Sequence, residues 1–298
     1  MGLNYCKAIE DNFSIKNKEG QIVPFILWNV QDSYLTDLVS HYGKPLSGLR
    51  EIILKARKEG FSSLILAMFA IDFLFEDFPI ASVCIANTKE ETRKLFDRCK
   101  FFINSALHKS GKELEDICDT ANANELKNKI NGATINIGTA GSKTALRVDS
   151  IQNLHFSEAA HFADTDIITA RETIEGALQM VDQEIGKVFI ESTANGYGNY
   201  YQELEEKAYL GMSRFRSVFF GADELYSAGW LTKKQREFTT YEMFKQEYPL
   251  TREEAYMSSG SKYFDTLGIK HLQDMVREPI QSGTLNNYGE IIGIIERG

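Results

Sequence analysis

Nine residues, Lys55-Ala-Arg-Lys-Glu-Gly-Phe-Ser-Ser63, gather the groups best suited to hold a phosphate. They comprise the cations Lys55, Arg57 and Lys58, the carboxylate Glu59, the turn residue Gly60, Phe61, and the hydroxyls Ser62 and Ser63. The apolar run Ile52-Ile53-Leu54 precedes them. Strand, glycine turn and helix start, in that order, present backbone N–H groups and hydroxyls to an anion. The pattern G-x-x-x-x-G-K-[ST] is met only in part. Gly60 and Ser62 fit, but Phe61 fills the lysine slot and Lys55 the first glycine slot. By itself the stretch reads equally as an ordinary strand-to-helix turn with a solvated basic face.

Further chemistry-bearing groups follow other apolar runs. Leu154-His-Phe-Ser-Glu158 ends in a carboxylate, which at the mouth of a buried strand can act as general base. In NTPases a carboxylate here also holds Mg²⁺, in the pattern apolar run, Asp, Glu. Ser157 takes the Asp position, so a cation would be held through water or more weakly. A helix N-terminus with Ser157 as cap and Glu158 favoured by the dipole explains the same residues. After Lys187-Val-Phe-Ile-Glu191 comes Ser192-Thr193-Ala194-Asn195-Gly196. These hydroxyl and amide groups can sense a phosphate, or simply form a polar Asn-Gly turn. Upstream, Pro24-Phe25-Ile-Leu-Trp28-Asn-Val-Gln31 offers an amide for an adenine edge beside an apolar wall. Arg147, in Gly141-Ser-Lys-Thr-Ala-Leu-Arg147, reads as a surface arginine or as a phosphate-reaching arginine finger.

The elements that must position these groups alternate along the chain. Strands are expected at Arg50–Leu54, Ser82–Ala86, Thr134–Ile137, Ile151–Phe156, Val188–Glu191 and Phe215–Phe220. Helices are expected at Ser63–Phe75, Lys89–Ala106, Glu172–Gln179 and Tyr200–Leu210, the second opened by a Thr88/Glu91 capping box. Alternation predicts a mostly parallel α/β sheet covered on both faces, which binds ligands beyond the strands' carboxyl ends. The first, fourth and fifth strands end in the three polar segments above.

Composition sets the frame. The 298 residues are 43% hydrophobic and 25% charged, enough for one large α/β domain or two small ones. No apolar run approaches the roughly 20 residues of a membrane helix, and Met-Gly-Leu-Asn-Tyr-Cys-Lys does not read as a secretory leader. Cys6, Cys84, Cys99 and Cys118 are scattered, as suits reduced thiols in a cytoplasmic setting. The net charge of −9 argues against coating nucleic acid through bulk charge, but leaves room for a local basic strip.

Taken in order, Pro24…Gln31, Lys55–Ser63, Ser157-Glu158-Ala-Ala, Ser192-Thr-Ala-Asn-Gly196 and Gln246-Glu-Tyr-Pro-Leu-Thr-Arg-Glu-Glu-Ala255 resemble the ATPase domain of the large terminase subunit of tailed bacteriophages and prophages. The resemblance runs from about Pro24 to Phe264. It implies a RecA-like P-loop NTPase of the additional-strand type that uses ATP and Mg²⁺ to drive double-stranded DNA into a procapsid. Gln31 would then contact adenine, and Lys58, Glu59, Gly60, Phe61, Ser62 and Ser63 would form the phosphate loop. Lys55 or Arg57 would replace the usual lysine. Glu158 would activate water, Ser62, Ser157 and Glu158 would serve the metal, Thr193 and Asn195 would couple hydrolysis to movement, and Arg147 would act in trans. The implied partners are the DNA, the portal protein, the small terminase subunit and further copies in a ring, expected as a pentamer from a chain monomeric in isolation. The implied setting is the cytoplasm of an infected bacterium, with no membrane contact.

The expected division is an ATPase domain over 1–262 and a lid or linker over 263–298. The family's nuclease domain is expected further on, so no DNA cutting is expected of these residues. Two other readings stay open: a helicase-like P-loop translocase, and a degenerate P-loop domain that binds partners without hydrolysis.

Overall fold

A parallel strand covered on both faces is buried along its whole length, and Arg50–Lys55 is buried at every position. In the computed structural model it is the second strand of an eight-stranded sheet. The structure describes residues 4–17, 19–142, 150–256, 275, 284–285 and 291–292.

The chain opens with α1 (Tyr5–Asn12), the antiparallel strands β1 (Ser14–Lys16) and β2 (Ile22–Pro24), and α2 (Asn29–Tyr42). Next come β3 (Arg50–Lys55), α3 (Phe61–Phe75), β4 (Ala81–Ala86) and α4 (Lys89–Lys109). The short α5 (Leu114–Ile117) leads into β5 (Cys118–Ala121), β6 (Glu125–Asn128) and β7 (Thr134–Thr139). Alternation resumes with β8 (Asn153–Ser157), α6 (Ala170–Gln179), β9 (Lys187–Ser192), α7 (Tyr200–Tyr209) and β10 (Arg216–Phe220). Three short helices follow: α8 (Ala228–Gln235), α9 (Tyr241–Glu247) and α10 (Arg252–Ala255). The chain divides into the units Met1–Ser259 and Gly260–Gly298. Within the second unit β11 (Thr284–Leu285) and β12 (Ile291–Ile292) form an antiparallel pair.

The large sheet runs β10-β3-β9-β8-β4-β7-β6-β5. Its first six strands are mutually parallel, and β6 and β5 extend it antiparallel. The decisive detail is that β9 stands between β3 and β8. The strand leading to the glycine turn and the strand ending at Ser157 are thus separated by one additional strand, as expected for the additional-strand class. Apolar layers cover both faces. One draws on α1 through α4, the other on α6, α7 and the residues after β8.

Helix α3 fixes the site's geometry. Every residue from Ser63 to Phe73 is buried, and a helix apolar all round belongs in a core. Its far end is pinned by Asp72, fully buried, which accepts from Tyr5 Oη (2.6 Å), Lys187 Nζ (2.7 Å) and Asn153 Nδ2 (2.8 Å). Those bonds tie it to the starting ends of β8 and β9, so the helix N-terminus faces the strands' carboxyl ends.

Differences from the sequence reading are local. Helix α3 begins at Phe61 rather than Ser63, because Gly60 adopts a left-handed φ of 76° as its cap. Strand β8 starts at Asn153 and runs on to Ser157, while Ile151 makes only an isolated bridge to Val181. The Thr88/Glu91 capping box is present, with bonds of 3.1 and 3.2 Å.

Candidate functional site

Strands β3, β9 and β8 lie side by side, so Lys55, Glu191–Ser192 and Ser157–Glu158 arrive together at the carboxyl edge. The nine-residue loop closes over them into α3. A cleft of about 530 Å³ opens there, lined among others by Lys55, Arg57, Gly60, Ser62, Glu158 and Thr193.

Lys55 lies at the centre. Its ammonium, 4% exposed, stands 2.9 Å from Glu158 and 3.1 Å from Glu191. Burial alone would lower its pKa, but Glu158 and then Glu191 outweigh it, so the amine is firmly protonated. Glu191 is fully buried and collects donors. Its Oε1 accepts from Ser62 Oγ (2.6 Å) and Ser157 Oγ (2.8 Å), with His155 Nε2 3.3 Å away. Burial pushes its carboxyl up, yet the Lys55 charge and the His155 bond hold it well below the ordinary range.

Glu158, one-third exposed, reaches the other side of Lys55. Its Oε2 accepts from the Thr193 backbone N–H at 3.1 Å and lies 3.4 Å from the Thr193 and Ser192 hydroxyls. Glu158 has φ 56° and Lys58 φ 65°, the only positive values among described non-glycine residues. Such left-handed conformations cost energy, and they cluster where the fold over-determines a site.

The remaining predicted residues are placed as follows. Arg57 is half exposed and pairs with Glu247 at 2.7 Å, while its backbone N–H donates to the Glu247 carbonyl. Phe61 turns inward, fully buried, with its ring stacked 4.3 Å from Phe220 and edge-on to Tyr34. Ser63 accepts from Arg98 of α4 at 3.1 Å. Gln31 is buried beneath the loop. Its Nε2 donates to the Glu59 carbonyl (3.3 Å) and its Oε1 accepts from the Trp28 N–H (3.1 Å). Asn195 Nδ2 donates to the Ala160 carbonyl at 3.1 Å, bracing the turn after β9 against the turn after β8. The Glu59 side chain is fully buried, and no side chain hydrogen-bonds either carboxyl oxygen. Burial, joined by Glu224 and Asp223 against the opposing pull of Lys55, drives its pKa up to about 9. Arg147 lies outside the described residues.

Sequence reasoning passed over Glu191, His155, Arg98 and Glu247. Glu191 carried one visible signal, a charge at the end of an otherwise apolar strand; the others carried none.

The site is therefore a cation held between two carboxylates, with two hydroxyls on one of them, at the N-terminus of a buried helix. Backbone amides of that helix start add positive potential. Such a site can accept an anion in exchange for a carboxylate on Lys55, and can present Glu158 to water.

No protein-family model matches the chain, and no curated protein matches it. Solved structures do. The large terminase of bacteriophage HK97 superposes with a TM-score of 0.63 at 15% identity, covering 83% of this chain and 54% of that one. The large terminase ATPase domain of Thermus phage P74-26, as a mutant, gives 0.51 at 17% identity, covering 71% of this chain and 91% of that domain. The large terminase of a thermophilic bacteriophage, in complex with ADP, gives 0.50 at 13%, covering 72% of this chain and 52% of that one. The chain shares the fold of phage large terminase ATPase domains, and it spans about half the length of the HK97 protein and of the ADP-bound terminase.

Proposed function

We propose that this chain is the ATP-hydrolysing motor domain of a viral large terminase subunit. The observation that carries the reading is Lys55 lodged between Glu158 and Glu191 at the mouth of the cleft. A P-loop lysine must reach the β- and γ-phosphates, and this is the buried cation that the loop supplies. ATP fits as substrate because the loop residues, with Ser62, Ser63 and Lys55 among them, line one cleft, and one neighbour of the same fold is solved with ADP.

Mg²⁺ fits the donor set. Among the described residues no group of three or more His, Cys, Asp or Glu forms a metal site. The hard oxygens of Ser62 and Ser157, bonded to Glu191, instead suit an ion that takes most of its ligands from phosphate and water. Ser62 would hold it, backed by Ser157 and Glu191; when bound, it neutralises charge developing on the phosphates.

The chain's own residues do the rest. Lys55 exchanges Glu158 for the phosphates as substrate enters, which frees Glu158 to orient a water for in-line attack and to take its proton. Thr193, bonded to Glu158 through its backbone N–H, senses that exchange, and Asn195 passes it to the turn after β8. Gln31 holds the loop's backbone and, on this reading, borders the adenine. Arg57 is the alternative phosphate contact if its Glu247 pair opens, and Arg147 the arginine acting in trans. Double-stranded DNA, a portal protein, a small subunit and further copies in a ring are the partners this function needs, in the cytoplasm of an infected bacterium. The division into an ATPase domain at 1–262 and a lid or linker at 263–298 belongs to the same reading.

One observation favours a non-hydrolysing domain: the lysine slot is a buried phenylalanine. Lys55 answers it by bringing a protonated amine to the same cleft. Glu158→Gln decides the matter. It should bind ATP as the wild type does while Mg²⁺-dependent turnover falls by about 10²–10⁴-fold, the range for a general base. Unchanged turnover would refute Glu158 as base. Absence of ATP binding by the wild type, with DNA present, would refute the motor reading.

A further inference from the structure

Glu191 is a costly residue to explain as packing. A carboxylate with no exposure carries a large desolvation penalty, and a neutral side chain would fill the same volume. Its surroundings indicate a use. In the parallel pairing of β8 and β9, Ser157 is the register partner of Glu191, so the two side chains leave the same face about one strand spacing apart. The Glu191 carboxylate accordingly sits over Ser157, the position where the common NTPase pattern carries aspartate, and accepts a hydrogen bond from that hydroxyl at 2.8 Å. The same oxygen accepts a hydrogen bond from Ser62 Oγ at 2.6 Å. A hydroxyl that donates its single proton to a carboxylate keeps its lone pairs for another partner.

A second displacement matches the first. The lysine is missing from the start of α3, where Phe61 is buried, and is present at the end of β3 as Lys55. Strands β3 and β9 are neighbours, and the two relocated charges meet at 3.1 Å. Measured against that common pattern both charges stand elsewhere, and they face one another.

We infer that Glu191 is the positioning carboxylate of the divalent-cation site, transferred from the end of β8 to the end of β9, where it aims the Ser62 and Ser157 oxygens at the ion. The inference rests on the nucleotide-binding reading above. It assigns a role to Glu191 that acts through Ser62, without contact to the reacting atoms.

The test uses Mn²⁺ in place of Mg²⁺, titrated into the purified chain saturated with ADP, with free Mn²⁺ read by electron paramagnetic resonance. Glu191→Gln should weaken Mn²⁺ binding by roughly 10–100-fold, the usual effect of losing a group that orients a metal ligand. Adding Ser157→Asp to that variant returns a carboxylate to β8 and should recover most of the loss. Glu191→Asp keeps the charge for Lys55 but draws the oxygen back from Ser62, so it folds like the wild type and still binds Mn²⁺ more weakly. Wild-type affinity in Glu191→Asp or in a folded Glu191→Gln overturns the inference, as does failure of Ser157→Asp to restore binding in a double variant that melts like the wild type. If the wild-type chain does not bind ADP, the nucleotide reading fails first and the role of Glu191 falls with it. If ADP binds and Mn²⁺ affinity ignores Glu191, only the inference fails.

Discussion

Replacing Glu59 by glutamine tests whether the phosphate loop carries a neutral acid. Its carboxyl is buried with no side-chain hydrogen-bond partner, and burial outweighs Lys55 and the Ala56 backbone to raise its pKa to about 9. An unfolded glutamate titrates near 4.3. Between those values the folded chain holds one proton more than the unfolded chain, so stability falls as pH rises. The slope is about −1.4 kcal/mol per pH unit. The contribution of Glu59 is therefore greatest below about pH 4 and declines until the folded carboxyl itself ionises near 9. Glu59→Gln cannot titrate, so the wild-type stability should fall relative to the variant by roughly 3 kcal/mol between pH 6 and pH 8. Urea denaturation of both proteins at pH 6, 7 and 8 measures this, and the comparison cancels every other titrating group. At pH 7 the variant should keep ATPase activity, because the wild-type side chain is already uncharged there. Parallel stability profiles, or a variant that loses activity at pH 7, would refute a protonated Glu59.

Two other substitutions bear on the displaced lysine. Lys55→Met leaves Glu191 buried without its partner and should cost about 3–5 kcal/mol, visible as a lowered melting temperature, together with loss of nucleotide binding by calorimetry. Phe61→Lys restores the usual sequence pattern but removes a ring stacked on Phe220. It should destabilise by roughly 3–5 kcal/mol without raising turnover, whereas a gain in turnover would show that the slot still faces the phosphates.

The six parallel strands were legible because they are short apolar runs closed by polar residues, as at Leu54 to Lys55 and Phe156 to Ser157, whereas the antiparallel β5 and β6, short and largely polar, were not. Period and capping located α4 from the Thr88/Glu91 pair, a purely local signal. Helix α2 was not legible. Its first turn coincides with Trp28-Asn-Val-Gln31, a stretch read for its chemistry, and it opens on Trp28, which makes no side-chain cap bond. Glu191 escaped for a different reason. Its meaning depends on Ser157 of β8 and Ser62 of α3, and which strand neighbours which is a tertiary fact. The start of α3 was misplaced by two residues because Phe61 looked like part of a loop; Tyr34 and Phe220, far away in sequence, make it core.

Helix α9 has a consequence for how such a site can drift through evolution. The Glu247 carbonyl near its end accepts from the Arg57 N–H at 2.9 Å, and Gln246 Nε2 donates to the Ala194 carbonyl at 3.2 Å. On the loop side these two bonds fall on main-chain atoms, one on the phosphate loop and one on the turn after β9, beside the Arg57–Glu247 side-chain pair. Apart from the Arg57–Glu247 pair, the alignment of the two loops thus rests on bonds that do not depend on which side chains the loops carry. A loop clamped by its backbone can trade residues between neighbouring strands and still close on the same point in space. That tolerance offers a physical route by which a lysine and a carboxylate can change positions while the cleft between them persists.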